Sequence, residues 1–402
     1  MTRRRRRWSR TRALLSILAL ALLGSALWAY SSFVLSTSAA VQHAEAFLFR
    51  RMEVMHLGEH GAYRFFYVTN RHRDEGASDP LERFGHERGD SLSVGFFDAT
   101  IEPSLGLGMI LNPTEWFQNE EITLSDVREL ERTAFVEQLG RYVAESPQQS
   151  LLIVVHGFRE AFPSALRKTA FLGHILDIDS PVLVFDWPGN QGSSLPGYRR
   201  ARAVAEESGP DLAETLEMVV REIRPARVWL VANSMGGQVV ADAFRALYEQ
   251  ADWADRQTEI EEVVLTAPDI SRDEFGEHFK QMITALTRNL TVYVSSNDRA
   301  LLMSRLVNRE RRLGESTLSP DQLEEAIQVS RLLDPQSEVI TLVDVTPVNR
   351  TRNFHNFSLE TPEFFDDLFL RLTSAERPPR TRLLYSRETR EGNLYWVLTR
   401  GR

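Results

Sequence analysis

A serine that stands between an apolar run and an amphipathic run is the residue with the clearest chemistry. Residues 228–244 read VWLVANSMGGQVVADAF, so a buried strand passes through Asn-Ser-Met-Gly-Gly straight into a helix. A turn of this kind lifts the serine hydroxyl above the sheet, and small residues on either side let the strand and helix approach. Ala232 and Gly236 hold the small positions. We predict that Ser234 is a nucleophile; the alternative is a serine that caps the helix.

A histidine–glycine pair follows an earlier apolar run, in the motif LLIVVHGF. Attack by a serine on an acyl group requires backbone N–H groups that stabilise the developing oxyanion. The N–H of Met235, at the start of the helix, is one predicted donor. The N–H of Phe158 is the other, with Arg159 as its alternative. His156 and Gly157 are expected to shape this loop, and His156 to bond within it.

The general base is found by elimination. Enzymes with such a serine turn place their triad in the order serine, acid, histidine, and only His278 and His355 follow Ser234. His278 falls in a helical run, where it is expected to face solvent. His355 lies in a loop after the last predicted strand, from which a base reaches back to the serine. We therefore predict that His355 is the base.

Three aspartates follow predicted strands. Asp298 comes after the later strand, the usual position of the triad acid, so we predict it for that role; the alternative is a helix N-cap. Asp269 follows a strand and a proline, and is expected to fix its loop or face the substrate. Asp186 and Trp187 begin a glycine-rich loop that is either a wall of the substrate pocket or a simple connection.

The surrounding elements predict an α/β fold, with a mainly parallel central sheet and helices on both faces. Continuous apolar runs such as LLIVV are typical of strands buried on both faces, and the strands alternate with helices. The early strands are expected to be antiparallel. Candidate strands are residues 63–69, 92–99, 151–155, 182–185, 228–232, 262–266, 290–295 and 339–343. Candidate helices are residues 124–146, 163–176, 202–221, 237–250, 272–287, 320–333 and 362–374; the charged stretch 73–90 predicts a loop.

The composition excludes several classes of function. The chain has 402 residues, 43% of them hydrophobic, and a net charge of −9 although seven arginines stand among the first twelve residues. The rest of the chain is strongly acidic, and we expect no nucleic-acid partner because phosphate binding needs a basic surface. Cysteine is absent, which excludes a thiol nucleophile, disulfides and thiolate metal sites. We expect no metal and no organic cofactor.

The N-terminal segment predicts attachment to a membrane. Residues 13–35 read ALLSILALALLGSALWAYSSFVL, without a charge, directly after the basic residues 1–12. A helix crosses the hydrocarbon layer with about 20 apolar residues, and flanking arginines stay in the cytoplasm. We therefore predict a single-pass signal anchor with the catalytic domain on the periplasmic side of the inner membrane. The alternative is a cleaved signal peptide and a secreted protein.

The rest of the chain divides into three predicted parts. Residues 36–60 form a linker, residues 61–376 form the catalytic domain, and residues 377–402 form a C-terminal extension. In the extension, residues 381–385 and 394–399 flank a Glu-Gly-Asn turn. This pattern predicts a β-hairpin.

A set of motifs spread along the chain resembles an uncharacterised bacterial family of α/β-hydrolases, known as a domain of unknown function. In order, they are FFYVTNR, FFDATIEP, IVVHGF, VFDWPG, ANSMGG, LTAPDI, VSSNDRALLMS, RRLGE and FHNFSLETPEFFDDL. They cover roughly residues 60–375, which excludes the N-terminal span and the C-terminal hairpin. The resemblance implies an α/β-hydrolase fold and a Ser234–Asp298–His355 triad. Asn233 departs from it, since the family often has histidine there.

The predicted activity is hydrolysis of an ester or related acyl bond through an acyl-enzyme, with an acyl ester or lipid-like small molecule as substrate. Three alternatives stay open. Acyl transfer and amide cleavage use the same triad, and a catalytically silent, membrane-anchored binding module is the alternative from a different class. The sequence defines neither the acyl chain length nor the oligomeric state.

Overall fold

The computed structural model describes residues 62–101, 122–250, 253, 260–271, 275, 279–295, 339–349, 357–374, 384–388 and 394–399. These residues belong to one unit, formed by Leu57–Glu102 and Ile122–Arg402. A second unit, formed by Met1–His56 and Pro103–Glu121, lies outside the described residues.

The middle of the molecule is a parallel sheet, as predicted. Its strands run side by side in the order β9-β8-β7-β6-β4-β5. Every residue of β4 and β5 is buried, because helices cover both faces of the sheet. The strands are β4 (Ser150–Val155), β5 (Val182–Asp186), β6 (Arg227–Asn233), β7 (Ile260–Thr266), β8 (Thr287–Val294) and β9 (Ile340–Asp344).

An antiparallel ribbon continues the sheet beyond β5. It consists of β1 (Ala62–Arg73), β2 (Phe84–Ile101) and β3 (Ile122–Leu130); β1 runs parallel to β5, and the other pairs are antiparallel. Two expectations were wrong here. Residues 84–90 extend β2 instead of forming a loop, and the helix predicted over 124–146 begins only at Arg132, because β3 precedes it. Both misread segments are polar strands near the sheet margin, where one face meets water.

The C-terminal hairpin lies at the opposite margin. β10 (Leu384–Glu388) and β11 (Leu394–Leu398) pair in antiparallel fashion, and β11 pairs with β9 in parallel fashion. The hairpin is therefore continuous with the central sheet. Its buried residues include Tyr395 and Val397, which belong to the main hydrophobic core.

Helices cover both faces of the sheet. Phe66 of β1 packs against Phe135 of one helix, with ring centroids 6.0 Å apart. The next residue, Tyr67, packs against Phe162 of another helix at 5.2 Å, as the alternation of a strand requires. The helices are α1 (Arg132–Glu145), α2 (Phe162–Leu176), α3 (Leu195–Met218), α4 (Gly236–Tyr248), α5 (Lys280–Leu286), α6 (Phe357–Glu360) and α7 (Pro362–Thr373).

The helix boundaries depart from the sequence-based ones mainly at α3. This helix starts at Leu195, earlier than the predicted residue 202, and a π-helical turn, Val219–Ile223, follows it. Its start is fixed by Ser194, whose hydroxyl accepts a hydrogen bond from the N–H of Gly197. The helix predicted over 320–333 and the first part of the one predicted over 272–287 fall mostly outside the described residues.

The strand order reverses between β4 and β6. From β4 the chain moves to β5 on one side, and β6 then pairs with β4 on the other side. In open α/β sheets, such a reversal opens a crevice at the carboxyl ends of the strands, and ligands bind there. The His-Gly loop follows β4 and the serine turn follows β6, so both predicted site segments start at this crevice.

The predicted membrane anchor, residues 13–35, lies outside the described residues. Within the described part of the chain, none of the helices has the length and apolar character needed to cross a bilayer.

Candidate active site

Ser234 occupies a sharp turn between β6 and α4. Its φ is +52°, in the left-handed region that costs a non-glycine residue roughly 1–2 kcal/mol. The turn is held from the neighbouring strand, since the N–H of Ser234 donates to the carbonyl of Thr266 (2.9 Å) and the N–H of Asp269 donates to the carbonyl of Ser234 (3.1 Å). Strain of this kind persists where the surroundings fix it, and it clusters at active sites.

Two glycines let the His-Gly loop approach the serine turn. A Cβ at Gly236 would lie 2.5 Å from the carbonyl oxygen of His156, and one at Gly157 would lie 3.1 Å from the Cβ of Ser234. Any side chain at Gly236 would therefore push α4 away from the end of β4. This explains why the predicted small residue is required two positions after the serine.

The three candidate oxyanion donors differ in what their N–H groups contact. The N–H of Arg159 donates to the carbonyl of Gly189 at 2.9 Å, so it is engaged within the protein. In the described part of the chain, the N–H groups of Phe158 and Met235 meet no backbone acceptor. Met235 is also the N-cap of α4, where the helix dipole favours negative charge. These contacts favour Phe158 over Arg159.

Asp269 lies beside the serine turn and faces α3. Besides the backbone bond to Ser234, its carboxylate accepts a hydrogen bond from the hydroxyl of Tyr198 at 2.7 Å. The ring of Tyr198 packs edge-on against Phe158, with centroids 5.6 Å apart. Tyr198 was not singled out from the sequence, because only the fold brings it to the carboxyl edge of the sheet. The glycine-rich loop before it thus leads directly into the site.

Asn233, immediately before the nucleophile, joins three segments. Its side-chain N–H₂ donates to the hydroxyl of Thr266 on β7 (3.0 Å) and to the hydroxyl of Ser358 on α6 (2.8 Å). Ser358 comes three residues after His355. The segment that follows the predicted base is therefore bonded to the residue next to the predicted nucleophile.

Asp298, His355 and His278 lie outside the described residues. The flanking elements are described: β8 ends at Val294, and α6 begins at Phe357. Beyond β8, the hydroxyl of Ser295 accepts a hydrogen bond from the side chain of Asn349 at 2.8 Å. The segments that lead into Asp298 and away from β9 are thus joined at the carboxyl edge of the sheet.

A buried charged network lies beneath the His-Gly loop. The guanidinium of Arg71 holds both carboxylate oxygens of Asp186, at 2.6 and 2.9 Å, and Thr69 donates to the same carboxylate at 2.7 Å. The ring nitrogens of His156 lie 3.0 Å from Asp186 Oδ1 and 2.9 Å from the carbonyl oxygen of Gly157. Arg71 was missed from the sequence because its partner stands 115 residues away.

The carboxyl group of Asp186 is charged although it is fully buried. Burial alone would raise the pKa of Asp186, but the charge of Arg71 and the hydrogen bond from His156 outweigh it and lower that pKa to about 2. Asp186 is therefore a carboxylate at any working pH.

Among the described residues, no group of three His, Cys, Asp or Glu side chains is arranged to hold a metal ion.

A strained serine at a strand–turn–helix junction, placed at the reversal of a parallel sheet with helices on both faces, defines the α/β-hydrolase fold. The chain belongs to the family described as "Alpha/beta hydrolase of unknown function (DUF900)", which matches residues 131–369, more than half of its length. This confirms the family that the motifs indicated. No curated protein matches the chain.

The solved structures that are similar to the chain include three at low identity. The esterase Pf2001 of Pyrococcus furiosus has 14% identity and a TM-score of 0.33, over 56% of this chain and 82% of that one. An uncharacterised protein from Capnocytophaga ochracea DSM 7271 has 10% identity and a TM-score of 0.33, over 76% and 64%. An inhibited esterase B from Lactobacillus rhamnosis has 12% identity and a TM-score of 0.26, over 74% and 94%.

Proposed function

We propose that this protein is a serine hydrolase that cleaves an ester or related acyl bond through an acyl-enzyme intermediate. The observation that carries the proposal is the backbone of Ser234. Its positive φ presents the side chain at the crevice between β4 and β6, so close to the His-Gly loop that a Cβ added at Gly157 would lie 3.1 Å from the Cβ of Ser234. A serine that only caps a helix has no need of a strained conformation, since N-cap residues normally adopt the β region.

In the proposed mechanism, Ser234 attacks the acyl carbon while His355 removes the hydroxyl proton. His355 then returns this proton to the leaving group, and Asp298 orients the imidazole. The N–H groups of Phe158 and Met235 stabilise the oxyanion of the tetrahedral intermediate. Water, activated by the same histidine, then releases the acyl group.

Chain connectivity supports the roles of the two residues outside the described ranges. Three residues of extended chain span at most about 11 Å, and Ser358, three residues after His355, is bonded to Asn233. This short stretch of chain supports the role proposed for His355, because it is long enough to connect the Ser358 contact to a base at the serine turn. Asp298 follows the end of β8 by four residues, and β8 lies two strands away from β6 in the sheet.

The proposed nucleophile is tested with a fluorophosphonate probe on the full chain. We expect the wild-type protein to be labelled and Ser234→Ala to be unlabelled. The matched control is Ser150→Ala, which removes a buried serine at the start of β4, on the opposite edge of the sheet, and should be labelled like the wild type. Equal labelling of Ser234→Ala and the wild type would refute the assignment.

Turnover of short p-nitrophenyl esters separates the hydrolase from its rivals. Hydrolysis that Ser234→Ala abolishes supports the proposal, and extending the assay to a panel of acyl and lipid-like esters defines the substrate class. Product analysis with added alcohols or amides distinguishes acyl transfer and amide cleavage from hydrolysis. Inactivity towards every ester together with no labelling would favour a silent binding module.

We also propose that residues 13–35 anchor the enzyme in the membrane with its catalytic domain outside the cytoplasm. The support is an uncharged apolar run preceded by arginines, which are retained on the cytoplasmic side. We expect the full-length protein to stay in the membrane pellet after alkaline carbonate extraction. A soluble product whose first residue lies near position 40 would instead show signal cleavage and secretion.

A further inference from the structure

Arg71 is a buried cation that is bonded mainly to loops at the carboxyl edge of the sheet. It is 2% exposed and follows an irregularity in the β1–β2 pairing between Thr69 and Arg71, a feature that re-aims side chains near active sites. Besides the two oxygens of Asp186, its guanidinium donates to the carbonyls of Gly85 (2.9 Å), Glu160 (2.8 Å) and Trp187 (2.7 Å). One side chain thus ties β2 to the loops after β4 and β5.

The bonds of this network lie on both sides of the predicted oxyanion donor. Two residues before Phe158, His156 is bonded to Asp186 at 3.0 Å, and its carbonyl accepts a hydrogen bond from the indole of Trp187 at 2.8 Å. The imidazole of His156 also stacks on the Trp187 ring at 5.6 Å and 7°. Two residues after Phe158, the carbonyl of Glu160 accepts from Arg71. The backbone of Phe158 is therefore fixed from both directions.

We propose that Arg71, acting through Asp186 and the loop carbonyls, is a positioning residue that aims the N–H of Phe158 at the oxyanion. The proposal rests on the proposed function of Ser234. A hydrogen-bond donor lowers the barrier to acyl transfer only when it already points to the place where charge develops, so the loop that carries it must be rigid. Among the described residues, the guanidinium of Arg71 donates to Asp186 and to backbone carbonyls, so its proposed role is exercised through the loop.

The chemistry of the side chain makes lysine an incomplete substitute. The planar guanidinium binds the carboxylate of Asp186 through Nε and Nη2, shares the two hydrogens of Nη2 with the carbonyls of Glu160 and Trp187, and donates from Nη1 to Gly85. An ammonium has only three donors and no fixed fork. Arg71→Lys keeps the charge that offsets Asp186 but loses part of this geometry. The substitution should therefore change the direction of the Phe158 N–H more than it changes the charge balance of the core.

The test compares an ester with its sulfur analogue in the wild-type protein and in Arg71→Lys. The substrates are p-nitrophenyl butyrate and O-p-nitrophenyl thionobutyrate, whose thiocarbonyl sulfur is a weak hydrogen-bond acceptor. We expect kcat for the oxygen ester to fall by about 30-fold with little change in KM, and the oxygen-over-sulfur ratio of kcat to fall by about tenfold. A loosened core would slow both substrates alike and leave the ratio unchanged.

The matched control is Arg371→Lys, the same change at another buried arginine, whose guanidinium donates to the side chains of Tyr293, Asp367 and Thr291; its oxygen-over-sulfur ratio should equal that of the wild type. If Arg71→Lys does not fold, Trp187→Phe replaces it, because that change removes the indole bond to the carbonyl of His156, keeps an aromatic ring at the position, and should lower the ratio in the same direction. An unchanged ratio in the folded variant overturns the proposal. If the wild type neither turns over the ester nor labels with fluorophosphonate, the proposed function fails and this inference falls with it.

Discussion

Two buried arginines stabilise this fold in different ways. Arg71 donates to one carboxylate and to three backbone carbonyls. Arg371, on α7, donates to the carboxylate of Asp367 (2.9 Å), the hydroxyl of Tyr293 (2.8 Å) and the hydroxyl of Thr291 (3.3 Å). The first network therefore holds backbone at the edge of the sheet, and the second attaches a helix to side chains of β8.

The difference indicates which network is tied to function. A buried ion pair rarely adds stability beyond what apolar packing of the same volume would provide. Side-chain bonds such as those of Arg371 specify how a helix packs on a sheet. Backbone bonds such as those of Arg71 also fix the direction of the N–H groups in the loops they hold, and one of these loops carries Phe158. The comparison predicts similar losses of stability but different losses of activity.

The largest effect is expected from Arg71→Met. Removing the guanidinium leaves the carboxylate of Asp186 buried without its cation, which costs about 3–5 kcal/mol. The free energy of unfolding, measured in urea at neutral pH, should fall by that amount. The ester kcat, corrected for the folded fraction, should fall with it. Full activity in the folded fraction would contradict a role in positioning the loop.

Arg371→Met should cost a comparable free energy of unfolding, about 3 kcal/mol or slightly more, because Asp367 is also buried. Here the kcat of the folded fraction should stay within about twofold of the wild-type value, since the bonds to Asp367, Tyr293 and Thr291 lie within α7 and between α7 and β8. Urea unfolding and ester turnover on the same preparation check both parts. A loss of kcat as large as that of Arg71→Met would remove the distinction between the two networks.

The third expected effect is a pH dependence of stability caused by His174 on α2, which is part of neither arginine network. Burial lowers the pKa of His174 from 6.5 to about 4. The folded state then binds fewer protons than the unfolded state, so the stability from the neutral imidazole is complete above pH 6.5 and is lost as pH falls towards 4. The wild type should lose roughly 3 kcal/mol over this window relative to His174→Gln.

Urea unfolding measured as a function of pH separates the contribution of His174 to stability from that of Asp186. Asp186, whose pKa is lowered to about 2 from 3.8, contributes stability that is present above pH 3.8 and lost only as pH falls towards 2. Arg71→Met should change how the free energy of unfolding depends on pH below pH 3.8. His174→Gln should change that dependence between pH 4 and 6.5. If His174→Gln and the wild type have parallel stability curves between pH 4 and 6.5, the low pKa of His174 is wrong.

The smallest effect is expected from Ser358→Ala, which removes the acceptor that bonds Asn233 to α6. A single partly buried hydrogen bond contributes about 0.5–1.5 kcal/mol, so kcat should fall by roughly three- to tenfold. Thr361→Ser, a mild change in the same segment, is the control. Fluorophosphonate should still label Ser358→Ala. An unchanged kcat would show that this bond does not hold the segment that is proposed to carry the base.

The sequence predicted the elements whose pattern is local. The serine turn was found because its strand, turn and helix are consecutive, and the parallel strands were found because they are apolar throughout. The strand β3 was misread as the start of a helix because ITLSDVREL is polar and pairs only with β2. The β2 residues 84–90 were misread as a loop for the same reason.

The supporting residues of the site were less accessible to sequence reasoning. Tyr198 meets Asp269 across 71 residues, and Arg71 meets Asp186 across 115. No spacing rule connects such partners, because the strand order alone brings them together. The sequence does contain one signal: an arginine near the end of one apolar strand, β1, and an aspartate at the end of another, β5, are suited to a buried ion pair.

The most direct test of the account is the identity of the phosphonylated residue. Trypsin cuts after Arg227 and Arg245, and the peptide between them, VWLVANSMGGQVVADAFR, has Ser234 as its single hydroxyl group. After reaction of the full chain with a fluorophosphonate, mass spectrometry should find the added mass on this peptide alone. Modification of another peptide, with this one left unmodified, would contradict the claim that Ser234 is the nucleophile.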